Sequence, residues 1–227
     1  MNNNDILKAR AYYYEFLAFC FFFCQDEKSY AKWMEQANFL ATSPFNENCD
    51  FTAILNSNFD DFCAEQNSVL FDLSYANVPL TASFYDEGRD SGLKRMKAIE
   101  ILKASKYRPN KENFSDCEDF VGFLFLLMTR FLKDFDDESA KRVFSELIND
   151  FIDELCELLN AHSNAKIFKT LSVILMEFIS LEREYYNLKA PAKKAVSVAK
   201  TAMAKRPHVS KMPTPKSKLN WDEFTAL

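Results

Sequence analysis

Residues that could carry out catalysis are few in this chain of 227 residues. It has two histidines, His162 and His208, and a Ser-His-Asp or Cys-His site would require one of them to meet a nucleophile distant in sequence. The residue three positions before His162 is Leu159, so the Glu-x-x-His ligand pattern of di-iron bundles is absent there. We therefore predict no catalytic residues, and we expect His162 to cap a helix or to face solvent.

Metal chemistry is also poorly supported by the residue pattern. The six cysteines include no Cys-x-x-Cys pair, whereas a zinc site requires two such pairs or histidines at matching spacing. Cys20 and Cys24 lie one helical turn apart in an apolar run, which favours buried, reduced thiols. The acidic run DFDDE (134–138) is typical of a solvated loop and helix N-cap. We therefore predict that the chain binds neither a metal nor a cofactor. The alternative is a small helical enzyme that holds a metal through carboxylates.

The composition excludes most folds that contain strands or bind nucleotides. Only three glycines occur, and no G-x-G-x-x-G, P-loop, Asn-Gly or Asp-Gly sequence is present. The apolar fraction of 48% is large enough for a core, and 23 phenylalanines supply bulky side chains that fill gaps between helices. The apolar run 16–24 is too short for the ~20 residues of a spanning helix. We predict an all-α protein without stable membrane insertion.

Helical periodicity places the main elements. Asn4 or Asp5 is expected to cap a first helix, and further helices are expected around 30–37, 50–72 and 93–102. Ser115 and Glu118 form a capping box ahead of an apolar run that predicts a central helix over 115–132. Two long helices are expected to follow, one spanning 143–156 and the other 167–179.

The charge of the chain is divided unevenly. Residues 189–227 contain nine Lys and Arg against Asp222 and Glu223, a net charge of +7, so the total of −5 leaves −12 on residues 1–188. The tail also holds four of the seven prolines. We predict one helical domain over 1–188 and a basic tail over 189–227 that is flexible or docked as a short helix around 192–204.

Four stretches resemble the TorD-type chaperones and their DmsD and NarJ relatives. ARAYYYEFLAFCF (9–21) is similar to the opening helix of that family. EQNSVLFDLSYANVPLTASFY (65–85) resembles the stretch that leads to its P-x-x-x-S-x-aromatic motif, met here by Pro79, Ser83 and Tyr85. SDCEDFVGF (115–123) resembles its acidic segment before a central helix, although Phe120 stands where the family has histidine and Asp116-Cys117 where it has Glu-Pro. The segments 144–159 and 167–182 resemble its paired C-terminal helices. The resemblance covers roughly residues 6–188 and omits the tail.

The resemblance implies a non-enzymatic helical chaperone in the cytoplasm. Such proteins bind the twin-arginine signal peptide of a molybdoenzyme catalytic subunit precursor, here expected to be a formate dehydrogenase or a related reductase, and delay its export until the cofactor is inserted. The predicted oligomeric state is either a monomer or a dimer in which the two chains exchange helices. By resemblance, the loop 79–92 and the segment 116–123 flank the peptide groove.

The residue types in these two segments suit a basic, partly apolar peptide, because such a peptide requires carboxylates for its guanidinium groups and an aromatic wall for its apolar part. We predict two groups of peptide contacts, one acidic and one largely aromatic. Glycines are expected to let the loop 79–92 adapt to different peptides. The acidic set is Asp116, Glu118 and Asp119, with Asp119 as the main contact. The other predicted contacts are Pro79, Ser83, Phe84, Tyr85, Phe120 and Phe123. The predicted hinge residues are Gly88, Gly92 and Gly122.

Two alternative interpretations of the sequence stay open, one for these site residues and one for the basic tail. Acids in the first turn of a helix stabilise it without any ligand, by ~0.3–1 kcal/mol each, and most aromatic residues belong to the core. The chain could also be an adaptor that acts through its basic tail, but spaced lysines without arginine clusters or stacking aromatics do not indicate nucleic-acid binding. A related prediction is that residues 204–209 (AKRPHV) lie in the acidic groove of the same or a neighbouring molecule.

Overall fold

The computed structural model describes residues 3–24, 26–47, 49–71, 77–108, 116–193 and 195–205. Within these ranges the chain forms eleven α-helices and no β-strand, which confirms the all-α prediction. In chain order they are α1 Asn3–Phe21, α2 Glu27–Ala41, α3 Thr52–Leu55, α4 Phe59–Gln66, α5 Ala82–Glu87, α6 Leu93–Ala104, α7 Val121–Lys133, α8 Asp137–Val143, α9 Ile152–Ala161, α10 Ile167–Tyr186 and α11 Val198–Lys205. A π-helical turn follows α4 at Asn67–Phe71 and another follows α8 at Phe144–Ile148, and a 3-10 turn spans Pro44–Asn46.

The centre of the core is the packing of α7 along α1. The apolar run 16–24 belongs to the end of α1, where Phe16, Leu17 and Phe21 are buried, so it forms part of the core as predicted. The α7 sequence VGFLFLLMTRFLK is buried on most sides, as expected of a helix surrounded by others. No helix among the described residues is both long enough and apolar enough to cross a bilayer.

Aromatic side chains join α1, α2 and α4. The indole of Trp33 stacks on Phe16 at 5.4 Å between ring centroids and lies 4.9 Å from Phe62. Its Nε1–H donates to the Phe16 carbonyl at 3.2 Å, so the buried polar atom of the indole has a partner. The high phenylalanine content is thus used to fill the spaces between helices, as the composition predicts.

A buried ion pair connects α1 to α10. The Arg10 guanidinium on α1 donates twice to Glu182 on α10, at 2.5 and 2.9 Å, and once to Asp137 at 2.9 Å. Tyr14 donates its hydroxyl to Glu182 at 2.9 Å, and the Tyr185 ring lies 4.0 Å below the guanidinium. Burial lowers the pKa of Arg10, but the hydrogen bond and charge of Glu182 outweigh this effect, and the pKa is raised. Arg10 is therefore charged and paired inside the protein.

The end of α1 is fixed by a single buried amide, Gln66 of α4. Its Oε1 accepts from the Cys24 backbone N–H at 2.9 Å. Its Nε2 donates to the carbonyls of Cys20 at 2.9 Å and of Phe22 at 2.8 Å. These three bonds satisfy backbone groups that the helix end leaves without helical partners. Nothing in the sequence pattern singled out this glutamine.

Several predicted helix boundaries differ from the structure. The segment 50–72 is divided into α3, α4 and a π-helical turn, and the predicted helix 143–156 is interrupted between residues 148 and 152. The central helix begins at Val121, so the predicted start at Ser115 is wrong and Glu118 is not a first-turn residue. Ser115 itself lies outside the described residues. Phe120 is the N-cap of this helix, without a side-chain cap bond.

Other local predictions can be compared directly with the structure. Asp136 in the acidic run 134–138 caps α8 by accepting from the Ser139 N–H, as predicted. His162 follows α9 as its C-cap residue and is buried, so the cap is confirmed and the solvent-facing alternative is wrong. Cys20 and Cys24 are buried free thiols. Part of the tail is helical, as α11, and the part of the segment 204–209 beyond residue 205 lies outside the described residues.

Candidate functional site

The two segments predicted to flank a peptide groove lie side by side. An antiparallel bridge pairs Thr81 with Phe120. The Ala82 N–H donates to the Asp119 carbonyl at 3.0 Å, and the Val121 N–H donates to the Leu80 carbonyl at 2.8 Å. These bonds place the start of α5 against the start of α7. The two stretches are therefore neighbours in the structure, and their flanking of a peptide groove stays a prediction.

Asp119 is completely buried at this junction. Its Oδ2 accepts from the backbone N–H of Ser83 at 2.9 Å and from the Ser83 hydroxyl at 2.5 Å. The carboxylate thus caps the first turn of α5 from a different part of the chain, where free N–H groups favour an anion. Its other oxygen is buried and has no hydrogen-bond partner among the described residues. In the described structure Asp119 is an internal residue rather than the surface carboxylate that the sequence suggested.

The predicted aromatic wall is also mostly internal. Phe84, Tyr85 and Phe120 are all buried, and so is Pro79. The Tyr85 hydroxyl donates to the Pro79 carbonyl at 2.8 Å, which closes the turn before α5. Phe123 is half-buried and packs against the core. These residues shape the junction from beneath, and their part in peptide binding stays a prediction.

Two of the three predicted acids reach the surface. Asp116 is exposed, and half-buried Glu118 accepts from the Arg95 Nε of α6 at 2.6 Å. The hydrogen bond to Glu118 raises the pKa of Arg95. Ser91 and Cys117 are 3.2 Å apart between Oγ and Sγ, so the acidic segment lies against the start of α6. An arginine of the chain itself thus contacts the carboxylate expected to meet a peptide arginine.

Exposed apolar side chains on α6 adjoin this acidic segment. Leu93 is 72% exposed and Met96 is 63% exposed, whereas Lys94, Ala98 and Ile101 face the interior. The apolar spacing that marks this helix in the sequence includes Leu93 and Met96, yet neither side chain faces the core. The buried Lys94 explains the difference, because its ammonium group donates to the Glu146 carbonyl at 2.7 Å and to Asp150 at 2.5 Å, which rotates the leucine and methionine outward. The surface at the start of α6 is therefore both apolar and charged.

The predicted hinge glycines are packed rather than open. Gly88 ends α5 in the left-handed conformation, with φ of 69°, and α11 lies directly over it. Gly92 precedes α6, and the Glu87 carboxylate accepts from the following Leu93 N–H at 2.5 Å. Gly122 lies in the first turn of α7 beneath two phenylalanine rings. Loop mobility at these positions stays a prediction.

Replacing Gly122 by alanine is expected to destabilise the fold by about 1 kcal/mol, because overpacking outweighs the gain in helix propensity. An added Cβ would lie 2.8 Å from ring carbons of both Phe120 and Phe22. Urea unfolding measures the loss. In a Phe22→Leu background the smaller side chain relieves one contact, so the same substitution is expected to cost less, and an unchanged cost would contradict the proposed clash.

A second groove lies between α9, α10 and the tail, with a volume of about 650 Å³. Its acidic lining comes from α9, from Asp150 ahead of that helix and from Glu177 of α10, and α10 also supplies apolar lining. The lining includes Asp150, Asp153, Glu154, Glu157, Val173 and Met176. The acids at 150, 153, 154 and 157 have helical spacing and share one face, a pattern that the sequence analysis did not use.

Tail residues form the remaining wall of this second groove. Lys193 Nζ lies 2.6 Å from Glu157 Oε1, and Lys200 Nζ lies 3.6 Å from Oε2 of the same carboxylate. The hydrogen bond from Lys193 lowers the pKa of Glu157. Among the described residues, no group of three or more His, Cys, Asp and Glu side chains is placed to hold a metal ion.

Comparison with known proteins gives a family match over part of the chain and a related fold. The family model described as nitrate reductase delta subunit matches residues 60–165, a range that contains both predicted segments. No curated protein matches the chain in sequence. A crystal structure of a proposed redox enzyme maturation protein from Archaeoglobus fulgidus shares the fold, with a TM-score of 0.54 and 13% identity over 76% of this chain and 93% of that one. These matches, the first of them over 106 of the 227 residues, confirm that the chain resembles redox enzyme maturation proteins of the NarJ/TorD type.

Proposed function

We propose that this chaperone binds the twin-arginine signal peptide of a molybdoenzyme catalytic subunit precursor in the cytoplasm. It keeps the precursor from export until its cofactor is inserted, and the client is a formate dehydrogenase or a related reductase. The observation that carries the proposal is the family match over residues 60–165, which contains the paired segments 79–92 and 116–123. The charge of −12 on residues 1–188 further favours encounter with a cationic peptide.

Within this proposal the predicted site residues fall into two groups. Asp116, Glu118 and Phe123 reach the surface and contact the peptide, together with the exposed Leu93 and Met96 of α6. The buried group positions the surface group, because its members connect α5 to the start of α7. That group consists of Pro79, Ser83, Phe84, Tyr85, Asp119 and Phe120. A peptide arginine would share or replace the contact of Arg95 with Glu118.

Removing the two surface acids together, as Asp116→Asn with Glu118→Gln, is expected to weaken binding of a twin-arginine peptide at least about tenfold. Each charge-assisted hydrogen bond contributes roughly 1.5–3 kcal/mol, and 1.4 kcal/mol is tenfold in affinity. Calorimetric titration of the synthetic peptide measures the change. A twin-lysine peptide is expected to bind more weakly to wild type, because lysine lacks the bidentate geometry of arginine.

The matched control is Asp60→Asn with Asp61→Asn, which removes the same charge from an exposed turn at the start of α4. This control is expected to bind as wild type does. Asp119→Ala tests the buried carboxylate separately. Equal affinity for this variant would limit Asp119 to a structural role. No binding to the wild-type protein at micromolar peptide would contradict the proposed function.

A further inference from the structure

The segment 189–205 lies over the body of the protein as a strap. Its first contact is the Lys189 carbonyl, which accepts from Asn149 Nδ2 at 3.1 Å. Lys193 and Lys200 then contact Glu157 from two directions, and the Ser197 hydroxyl donates to Glu154. The strap thus covers the acidic face of α9 with basic and hydroxyl groups of the same chain.

The far end of the strap lies on α5. Ala199 of α11 is completely buried. A Cβ added to Gly88 would lie 2.9 Å from the Ala202 Cβ and 3.6 Å from the Val198 Cγ1, so the missing side chain allows the close approach of α11. Gly88 belongs to the loop in which the sequence places one wall of the peptide site. The strap therefore covers part of the predicted site as well as the second groove.

The contacts of the strap are those of a reversible association. The Lys193 side chain is 83% exposed and Lys200 is 55% exposed, and ion pairs this open to water contribute little to stability. α11 has eight residues, and a helix of that length is not stable without packing. Few of its side chains pack: Ala199 is buried, Ala202 and Val198 lie beside Gly88, and Met203 is half-buried against the core. Release of the strap therefore costs little free energy.

The covered surface has the chemistry that suits a basic, partly apolar chain. The second groove combines Glu154, Glu157 and Glu177 with Val173 and Met176, and Val173 is 45% exposed even with the strap in place. In sequence, the strap carries Lys193 and Lys200 seven positions apart, and the residues between them are Lys194, two alanines, two valines and Ser197. A cationic leader segment of a client presents the same combination of groups.

We propose that the segment 189–205 is a built-in competitor of the client peptide. It occupies the end of α5 and the acidic face of α9 in the free chaperone, and the basic part of the client replaces it. This inference rests on the proposed function, since it assumes that a cationic signal peptide is the ligand. The affinity measured for a client is then reduced by the fraction of molecules in which the strap is docked.

The test compares three full-length proteins by titration with a twin-arginine peptide. The first is wild type and the second is Lys193→Glu with Lys200→Glu, which places like charges against Glu157. The control is Lys216→Glu with Lys218→Glu, which changes the net charge equally outside the strap. We expect the strap variant to bind about 3- to 10-fold tighter than the other two.

Hydrogen exchange of the α11 amides supplies a second readout. Exchange is expected to be several-fold slower in wild type than in the strap variant, and to be accelerated in wild type when the client peptide is added. Peptide binding with equal affinity to all three proteins, or weaker binding to the strap variant, would overturn the competitor role while leaving the proposed function in place. Failure of every protein to bind the peptide would overturn the proposed function and the competitor role with it.

Discussion

Replacing Glu182 by glutamine is expected to reduce the free energy of unfolding by about 3–5 kcal/mol, the typical cost of removing one partner of a buried ion pair. Glu182 is buried and accepts two bonds from Arg10 and one from Tyr14. The guanidinium would lose its main counter-charge, and Asp137 alone would remain as an anionic partner. An arginine side chain stays protonated in proteins, so Arg10 cannot relieve this cost by losing its proton.

Urea unfolding of the variant measures this loss. Glu184→Gln on the same helix is the control, because that side chain is exposed, and it is expected to change stability by less than about 0.5 kcal/mol. The double variant Arg10→Met with Glu182→Leu should be less destabilised than the sum of its single changes, since no buried charge is left unpaired. Similar losses for Glu182→Gln and Glu184→Gln would contradict the role assigned to the pair.

Replacing Gln66 by leucine is expected to destabilise the protein by about 3 kcal/mol or more. Leucine has a similar volume but offers no hydrogen bond, so the Cys24 N–H and the Cys20 and Phe22 carbonyls would lose their partner. Each buried polar group left unsatisfied costs roughly 1–3 kcal/mol. The damage is expected at the end of α1, where Phe21 and Cys24 enter the core.

The control for this variant is Gln36→Leu, at a half-buried position on α2. Thermal and urea unfolding should show a small change there and a large one at position 66. A Gln66→Glu variant keeps the acceptor but loses the amide donor, and it is expected to be destabilised as well because its charge would be buried. Wild-type stability in Gln66→Leu would show that water can replace the amide.

The helical fold could be predicted from the sequence because its signals are local. Scarce glycine, helical spacing of apolar residues and the Asp136 cap all act within a few residues. The boundaries that were wrong depend on distant partners. The helix predicted from Ser115 begins at Val121 because residues 119–121 bond to residues 80–83 instead of forming a first turn.

The candidate site could be predicted only in part for the same reason. The neighbouring positions of 79–85 and 116–123 followed from a family resemblance, and the structure has them side by side. Burial of Asp119 did not follow, because a carboxylate near a predicted helix start looks the same in sequence whether it faces water or caps another helix. The outward Leu93 and Met96 were missed since only the tertiary contact of Lys94 sets the rotation of α6.

The contact between Arg10 and Glu182 also has a consequence for biosynthesis. The two residues are 172 positions apart, so the partner of α1 leaves the ribosome long after α1 itself. At about 5–20 residues per second, the nascent apolar segment 16–24 waits roughly 5–20 s for α7, on which α1 packs, and Arg10 waits still longer for Glu182. During this interval the apolar segment is exposed, and we expect nascent-chain holdases to bind this protein while it is being synthesised.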